Sequence, residues 1–464
     1  MIPVIAIVGR PNTGKSTLFN RLTGTQDALV ADQPGVTRDR NYGFSEHQQK
    51  RYILIDTGGL NDIESDDKSI ADLVSGQSRL AIEESDLVFW VVDGRDGLTT
   101  SDELLARQLR PLSSRLILLV NKTEGMDSDI VCADFHALGI GTPYAVSAQR
   151  GYGLDKVLNI AFENLPDIEQ EPEPERTGLR ITVAGRPNVG KSTLINRILG
   201  EERLLTFDKP GTTRDSIVIP FERQAKQYEL VDTAGVRRNA KLKDKLEKFS
   251  VIKTIKAIDS TDIVIIVIDA SEALTDQDMH LLGLTYDSGK PLIVAANKWD
   301  FLEKSQKEKI RNQLDRKLGF VDYATVHYIS ALHGSGVGKI FTTVDKIGRV
   351  ISNKVKPSKL TEILADAISE HAPPMIGGRR IKLRYAHLGG HNPFRIIIHG
   401  SQTNKVPAMY SRYLSKYFRK RLKLTAIPIF IEFKYGENPY RNKRNVLTPG
   451  QLKNRRRVIK HSKR

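Results

Sequence analysis

Two stretches of the chain carry the spacing Gly-x-x-x-x-Gly-Lys-Ser, whose residue types suit the binding of nucleotide phosphates. The glycines let backbone N–H groups wrap a β-phosphate, and the helix that follows adds partial positive charge at its start. We predict that Lys15 and Lys191 reach the β- and γ-phosphates and that Ser16 and Ser192 bind Mg²⁺. The predicted phosphate-binding residues are Gly9, Arg10, Pro11, Asn12, Thr13, Gly14, Lys15 and Ser16 in the first stretch, and Gly185, Arg186, Pro187, Asn188, Val189, Gly190, Lys191 and Ser192 in the second.

Downstream of each stretch, a Thr and an Asp are spaced to bind the same metal ion. Thr37 and Thr213 are predicted to contact Mg²⁺ and the γ-phosphate, and Asp56 and Asp232 to orient Mg²⁺ through water. Taken alone, each of these residues would more often be a turn residue. Each Asp begins an Asp-x-x-Gly segment predicted to line the nucleotide, with Thr57, Gly58, Gly59 and Leu60 in the first copy and Thr233, Ala234, Gly235 and Val236 in the second. Because Leu and Val cannot hydrogen-bond an attacking water, hydrolysis must be slow or assisted by another group.

A third motif, Asn-Lys-x-Asp, selects the base. Asp300 can accept hydrogen bonds from the ring N1–H and exocyclic amine of guanine, whereas adenine offers that carboxylate the wrong donors. Asn297 is predicted to bond the base edge, Lys298 to pack its stem on the ring beside Trp299, and the Ser330-Ala331 backbone to donate to the guanine O6. The first copy reads Asn121, Lys122, Thr123 and Glu124, followed by Ser147 and Ala148. Since Glu124 is one methylene longer than Asp, we predict weaker or less selective binding at the first site.

The motifs repeat at a fixed distance along the chain. Each of the first four recurs after 176 residues, and the Ser-Ala pair recurs after 183. Short apolar runs alternate with helical patterns in both copies, which predicts an α/β fold of two tandem domains, each a mostly parallel sheet with helices on both faces. The predicted strands are Val4–Val8, 52–55, 87–92 and 116–120 in the first copy, and 181–184, 228–231, 263–268 and 292–295 in the second.

Charge and composition divide the chain into five predicted parts. The two copies occupy 1–166 and 177–352, joined by an acidic Glu/Pro linker at 167–176. A small α+β domain follows at 353–435 with the order helix-strand-strand-helix-strand, and a basic tail at 436–464. Residues 1–166 carry 16 Lys and Arg against 23 Asp and Glu, whereas residues 353–464 carry 26 against five. This excess predicts an acidic partner for the C-terminal end, and nucleic acid is the usual one.

Composition excludes several other classes of protein. The single Cys132 excludes a disulfide framework and fits a reducing cytosol. The longest apolar runs are strand-sized, and the N-terminus lacks the pattern of a signal peptide, so we predict a cytoplasmic protein without a membrane partner. A monomer is expected. The motifs and the basic C-terminal end favour a nucleotide-hydrolysing protein that acts on nucleic acid. Two alternatives are a tRNA-modifying enzyme with a GTPase module and a protein-directed switch without RNA.

The motifs resemble those of the translation-factor-like class of P-loop GTPases. Two such domains, an acidic linker and a C-terminal order similar to a KH domain together resemble the EngA/Der family over essentially the whole chain. A KH domain has Gly-x-x-Gly between two helices, and that motif is missing here. The adjacent glycines Gly377 and Gly378 lie before a predicted strand instead. The resemblance implies a GTPase that binds two GTP or GDP and two Mg²⁺, and that assists assembly of the 50S ribosomal subunit by docking on rRNA.

The resemblance also implies a further cation. In related GTPases that share Gly-x-Pro-Asn-x-Gly-Lys-Ser, the Asn helps to hold a K⁺ that supplies charge during hydrolysis, a role that falls here on Asn12 and Asn188. The alternative is that each Asn only caps its loop. The residues predicted to act in hydrolysis are Asn12, Lys15, Thr37, Asn188, Lys191 and Thr213.

Overall fold

The structure is a computed structural model of the 464-residue chain. It describes residues 2–24, 42–48, 50–57, 81–165, 176–201, 203–204, 218–231, 251–272, 274–352, 355–376, 379–391 and 393–435. Contacts divide the chain into two compact units. One holds the described residues of Met1–Lys354, Gly390–Phe394 and Arg419–Phe430, and the other holds those of Val355–Gly389, Arg395–Phe418 and Ile431–Arg464. The finer five-part division stays a prediction.

The first α/β domain contains a six-stranded sheet in the order β2-β3-β1-β4-β5-β6. Strand β2 pairs antiparallel to β3, and the remaining pairs are parallel. Apolar residues fill both faces of β4, which is buried throughout. The elements are β1 Val4–Val8, α1 Lys15–Leu22, β2 Tyr42–His47, β3 Lys50–Asp56, β4 Leu87–Asp93, α2 Thr100–Leu109, β5 Leu116–Asn121, α3 Ser128–Ala133, β6 Tyr144–Ala145 and α4 Leu154–Asn164.

The second α/β domain repeats this plan with a seven-stranded sheet in the order β13-β12-β11-β7-β10-β9-β8. The antiparallel strands again lie at one end, where β9 pairs with β10 and with β8. The prediction of two mostly parallel sheets is therefore confirmed. The elements are β7 Leu179–Ala184, α5 Lys191–Glu201, β8 Arg203–Leu204, β9 Val218–Arg223, β10 Lys226–Val231, α6 Val251–Asp259, β11 Ile263–Asp269, α7 Asp276–Ser288, β12 Leu292–Asn297, α8 Lys304–Lys317, β13 Thr325–Tyr328 and α9 Val337–Ser352.

The C-terminal part has the predicted α+β composition. Its three-stranded sheet has the order β16-β17-β18, and a two-stranded ribbon joins β14 to β15. Leu360, Ile363 and Leu364 form the buried face of the first helix, and Thr361 Oγ1 both donates to and accepts from the backbone of Ala386 at 3.2 Å. The elements are α10 Pro357–Glu370, β14 Met375–Ile376, β15 Arg379–Arg380, β16 Lys382–His391, β17 Phe394–Ser401, α11 Ala408–Arg421 and β18 Phe430–Tyr435.

The two α/β domains share an apolar cluster, called here the interdomain cluster. Its buried members are Ile2, Val4, Ala6, Ile53, Ile55 and Ala81 of the first domain and Ile252, Ile255 and Leu284 of the second. Beside it, Arg51 Nη1 lies 3.1 Å from Asp259 Oδ1, and both side chains are about a quarter exposed (29% and 24%). An ion pair this accessible contributes little, so apolar burial holds these faces together.

One buried cation lies close to this contact. The Lys290 ammonium is buried and donates to the carbonyls of Asp259 at 2.7 Å and Thr261 at 2.8 Å. Burial lowers the pKa of Lys290 to about 8, although Asp259 acts to raise it. Folded Lys290 therefore loses its proton at a lower pH than unfolded Lys290, whose pKa is about 10.4.

We expect the free energy of unfolding to rise with pH between about 8 and 10.4 because of Lys290, since in that window the unfolded chain binds the extra proton. Below pH 8 the full cost of burying the charge is present. In Lys290→Met, roughly 2 kcal/mol of the rise between pH 8 and 9.5 should disappear. Urea unfolding at the two pH values measures this effect. Lys309→Met, on the exposed side of α8, is the matched control, and equal pH slopes in the two variants would contradict the prediction.

Candidate nucleotide-binding sites

The two phosphate-binding loops have the same backbone geometry. Each loop enters its helix, α1 or α5, through a glycine in the left-handed region, with φ +94° at Gly14 and +98° at Gly190. A Cβ at Gly14 would overlap the side-chain amide nitrogen of Asn121, and one at Gly190 would overlap that of Asn297. Glycine is therefore required at both positions, for its backbone conformation and for the close approach of the Asn.

The loop lysines point back into their own loops. Lys15 Nζ donates to the carbonyl of Arg10 at 2.7 Å, and Lys191 Nζ donates to that of Arg186 at 2.8 Å. Lys15 is buried. Burial lowers the pKa of Lys15, and the nearby carboxylate of Asp56 opposes that shift. Each loop thus holds an ammonium group against its own backbone, where it can also bind phosphate oxygens.

Oxygen ligands suitable for Mg²⁺ lie next to the first loop. Asp56 ends β3 and pairs in register with Ile7 of β1, while the following Thr57 donates from Oγ1 to the Ile7 carbonyl at 2.7 Å. The Ser16 hydroxyl lies on the exposed side of α1. Mg²⁺ prefers one or two hard oxygen ligands together with substrate phosphates, and this donor set fits that preference. Ser192 has the equivalent place in α5.

A buried Asn joins the phosphate loop to the base-binding segments. In the second domain, Asn297 Nδ2 donates to the Val189 carbonyl at 2.8 Å, and its Oδ1 accepts from the Ala331 N–H at 2.8 Å. Asn121 makes the same pair of bonds in the first domain, at 2.8 and 2.9 Å. The shared geometry of the two domains thus brings the phosphate loop, the Asn-Lys-x-Asp or Asn-Lys-x-Glu segment and the Ser-Ala pair, which are far apart in sequence, to one end of each sheet.

The two carboxylates that are predicted to select the base, Glu124 and Asp300, differ in their surroundings. Glu124 Oε1 accepts from Ser147 Oγ at 2.5 Å, and Glu124 Oε2 lies 3.1 Å from Arg95 Nη2. The Ser147 hydrogen bond is the main cause that lowers the pKa of Glu124, and Arg95 adds to it. Asp300 instead lies 3.4 Å from His333 Nε2. The longer side chain in the first domain is therefore held by two neighbours.

Comparison with known proteins identifies the family. A family model described as "50S ribosome-binding GTPase" matches residues 4–122 and again 180–298, and one described as "KH-domain-like of EngA bacterial GTPase enzymes, C-terminal" matches residues 354–434. GTPase Der of Thioalkalivibrio sulfidiphilus is 52% identical over 466 residues, covering 100% of both chains. GTPase Der of Legionella pneumophila is 52% identical over 463 residues, covering 100% of this chain and 99% of its own. The chain belongs to the Der (EngA) family.

Membership of the Der family makes the chain a GTPase with two GTPase domains and a C-terminal KH-like domain. The predictions of family, fold class and enzyme activity are thereby confirmed. Among solved structures, Era in complex with nucleotides 1506–1542 of 16S ribosomal RNA aligns with 57% of this chain and 96% of its own, at 20% identity and a TM-score of 0.28. In the described part of the chain, no helix is both long and apolar enough to cross a membrane.

The Der-family sites contain charged pairs that the sequence motifs did not include. Lys122 has φ +66° and its Nζ lies 2.6 Å from Asp93 Oδ2 at the end of β4. Lys298, with φ +63°, pairs in the same way with Asp269 at the end of β11. The second pair holds Lys298, whose stem is predicted to pack on the base, and the first holds its counterpart Lys122. The signal was available in the repeat, because Asp93 and Asp269 are themselves 176 residues apart.

The loop arginines face helices of their own domains. Arg10 Nε donates to Asp102 Oδ1 at 2.8 Å, and Arg186 Nε lies 3.3 Å from Asp278 Oδ2. Each of these Asp residues also caps its helix, α2 or α7, in a capping box. The arginine side chains thus anchor the phosphate loop to a neighbouring helix.

Several predicted site residues lie outside the described residues. They include both Thr residues that are predicted to bind Mg²⁺ and most of the Asp-x-x-Gly segments, namely Thr37, Gly58, Gly59, Leu60, Thr213, Asp232, Thr233, Ala234, Gly235 and Val236. The remaining predicted residues lie in or beside the two loops and base-binding segments, and their roles in nucleotide binding stay predictions.

Exchanging the base-selecting carboxylates is expected to exchange the behaviour of the two sites. Glu124→Asp should raise GDP affinity at the first site about fivefold, because the shorter carboxylate is the length that the motif's paired hydrogen bonds require. Asp300→Glu should lower affinity at the second site by a similar factor. Titration with a fluorescent GDP analogue measures each site, using Lys191→Ala to silence the second and Lys15→Ala to silence the first. The prediction would be contradicted if Glu124→Asp left GDP affinity at the first site unchanged and Asp300→Glu left it unchanged at the second.

Proposed function

We propose that this GTPase assists assembly of the large (50S) ribosomal subunit in the cytoplasm, acting as a monomer that docks on rRNA. The observation that carries the proposal is the charge of residues 353–464, with 26 Lys and Arg against five Asp and Glu. Such an excess matches the phosphate backbone of RNA and exceeds what solubility needs. The family model's description as a 50S ribosome-binding GTPase supports the same partner.

Hydrolysis would act as the switch in this proposal. Lys15 and Lys191 would stabilise negative charge on the β- and γ-phosphates, and the hydroxyls and carboxylates beside each loop would hold Mg²⁺, which would supply further positive charge there. Release of phosphate would end the predicted contacts of Thr37 and Thr213 with Mg²⁺ and the γ-phosphate. The nucleotide state thereby controls the arrangement of the domains and their docking. The proposed Mg²⁺ ligands are Ser16, Thr37, Asp56, Ser192, Thr213 and Asp232.

Co-sedimentation tests the proposed partner directly. The protein is mixed with purified 50S particles in a GTP analogue or in GDP and separated on a sucrose gradient. We expect it in the 50S fraction with the analogue and at the top of the gradient with GDP. Lys191→Ala, which weakens phosphate binding, should reduce the difference between the two nucleotides. Absence from the 50S fraction in every nucleotide state would refute the proposal.

We further propose that Asn12 and Asn188 hold a K⁺ beside the phosphates. Both residues have left-handed backbones, with φ +66° and +65°, a conformation that Asn tolerates better than most residues. Asn188→Gly keeps that conformation and removes the amide oxygen, so it separates cation binding from loop capping. We expect the GTP turnover rate to be higher in KCl than in NaCl, and the double variant Asn12→Gly, Asn188→Gly to lose the difference. Equal wild-type rates in the two salts would exclude K⁺.

A further inference from the structure

Three aromatic rings lie side by side on the sheet of the C-terminal part. Tyr385 and His399 stack with ring centroids 4.4 Å apart and planes 8° apart, and His387 stacks on His399 at 5.1 Å and 23°. Tyr385 and His387 belong to β16 and His399 to the neighbouring β17. We call these three residues the Tyr-His row. Tyr385 and His387 lie 6.3 Å apart, so the three ring centres form a triangle in which Tyr385 and His399 are the closest and most nearly parallel pair.

The Tyr-His row does not belong to the core. Leu383 and Ala386 of β16 and Ile398 of β17 are buried, and α10 contacts the sheet at Ala386 through Thr361. Tyr385, in contrast, is 48% exposed. Arg384 and Tyr385 are successive exposed residues between buried ones, so the alternation of β16 shifts by one residue at this point. A shift of this kind re-aims side chains and is common next to binding sites.

Packing alone does not explain the row. The buried Nε2 atom of His399 has no hydrogen-bond partner among the described residues. Burial lowers the pKa of His399, and His387 and Lys434 lower it further against the opposing effect of Glu432, which favours a neutral, stackable ring. At Gly389, a Cβ would lie 2.7 Å from Ile397 Cδ1, so this glycine keeps bulk away from the same strand pair.

Cations surround the row. Lys382 and Arg384 of β16 and Lys434 of β18 are exposed, and Arg395 of β17 is partly exposed beside Glu432, 3.5 Å from its carboxylate. Glu432 is the one carboxylate among the described residues of these three strands, Lys382–His391, Phe394–Ser401 and Phe430–Tyr435. The surface is therefore cationic around exposed π-faces, the combination that proteins use to bind single-stranded nucleic acid.

The aromatic residues of α11 have a different role. Tyr413 donates from its hydroxyl to the Ala367 carbonyl at 2.8 Å, and Tyr417 donates to Glu370 Oε1 at 2.9 Å. Leu414 between them is buried. These two tyrosines, which alternate with basic residues along α11, thus pack against α10. Among the described residues from 355 to 435, Tyr385 of the Tyr-His row is the large exposed aromatic side chain.

We propose that the Tyr-His row is a binding site for single-stranded RNA, in which an unpaired base extends the stack at Tyr385 and the surrounding cations contact backbone phosphates. The proposal rests on the RNA-binding function proposed above and locates its contact with unpaired bases. Bases in a double helix are already stacked on each other, so the row favours loops, bulges and ends over helical rRNA.

Binding of a short oligoribonucleotide that contains one 2-aminopurine tests the site in the full-length protein. Stacking on Tyr385 should quench the fluorescence of the analogue, and Tyr385→Ala should weaken binding about tenfold. Tyr385→Phe keeps the ring and should bind within about twofold of wild type. Tyr152→Ala, which removes a 63% exposed Tyr from the first GTPase domain, is the matched control and should have no effect.

Salt dependence separates stacking from charge. The tenfold ratio between wild type and Tyr385→Ala should be the same at 50 and 200 mM KCl, whereas Lys434→Ala should reduce the slope of log affinity against log salt by about 0.7. A thermal melt unchanged by Tyr385→Ala shows that the variant folds. If Tyr385→Ala does not fold, Tyr385→Ser and Tyr385→Phe are compared instead. Of these two, only Tyr385→Phe keeps the ring, and only it should bind the oligoribonucleotide.

Two results would overturn the site. One is equal affinity of Tyr385→Ala and wild type for the oligoribonucleotide. The other is an equal loss with duplex RNA of the same sequence, because stacking on an unpaired base cannot act there. Co-sedimentation with 50S particles distinguishes this failure from failure of the proposed function. If wild type and Tyr385→Ala both co-sediment with the GTP analogue, the partner is correct and the site is wrong; if wild type does not, the proposed function itself fails.

Discussion

Asp300→Asn is expected to abolish guanine-nucleotide binding at the second site and to allow xanthine nucleotides to bind there instead. The carboxylate of Asp300 can accept from both the N1–H and the exocyclic amine of guanine, whereas an amide presents a donor to one of them. Hydrogen bonds to a charged acceptor contribute about 1.5–3 kcal/mol each. Loss of two corresponds to roughly a 10²- to 10⁴-fold fall in affinity. Xanthine carries a carbonyl in place of the amine and restores the match.

The experiment isolates the second site by adding Lys15→Ala. Binding of GDP and of xanthosine diphosphate is measured by calorimetry in this background, with and without Asp300→Asn. Asp300→Glu is the conservative control, since it keeps the acceptor and changes only its reach. A variant that keeps GDP affinity and gains no xanthine nucleotide would show that another group selects the base.

Asn297→Ala is expected to cause the second large effect, on both stability and nucleotide affinity. The side chain is buried and holds the Val189 carbonyl and the Ala331 N–H at 2.8 Å each. Its removal leaves a donor and an acceptor unsatisfied in the interior, at a cost of roughly 2–5 kcal/mol. The same change frees the phosphate loop from the segment predicted to contact the guanine O6, so nucleotide affinity should fall with stability.

The chain provides its own probes for this test. Its two tryptophans are Trp90 in the first domain and Trp299 in the second, so Trp90→Phe leaves a reporter two residues from Asn297. Unfolding in urea should shift to lower concentration at Trp299 for Asn297→Ala. Asn297→Asp keeps the acceptor for Ala331 and should lose less. An Asn121→Ala variant, followed through Trp90, should reproduce the effect in the first domain; no shift in either would contradict the bridging role.

Local pattern predicted the loops well, because the residues that define them are close in sequence. Gly14 and Lys15 follow a strand and begin a helix as the spacing requires. The Asn bridges were only half predicted: the motif placed Asn297 at the base, whereas its contact with Val189 crosses 108 residues and depends on how β7 and β12 lie in the sheet. Periodicity does not encode such distances.

Contacts between distant elements could not be predicted from the sequence for the same reason. Arg51 and Asp259 are 208 residues apart and meet because two domains pack together. The stack of Tyr385 on His399 depends on the pairing of β16 with β17 and on the shift in alternation at Arg384. In the sequence, basic and aromatic residues alternate more visibly in α11, but Tyr413 and Tyr417 of that helix pack against α10.

The interdomain cluster has a thermodynamic consequence for ligand binding. Val4 and Ala6 of β1 are at once part of the strand that ends at the first phosphate loop and part of the surface buried by Ile252 and Ile255 of the second domain. Melting either domain exposes apolar surface of the other. Nucleotide bound to one native domain stabilises that domain by mass action and, through this common surface, the other as well. The melting temperature of each α/β domain therefore depends on both nucleotide sites. Saturating one site with nucleotide raises the melting temperature of the other, unliganded domain as well.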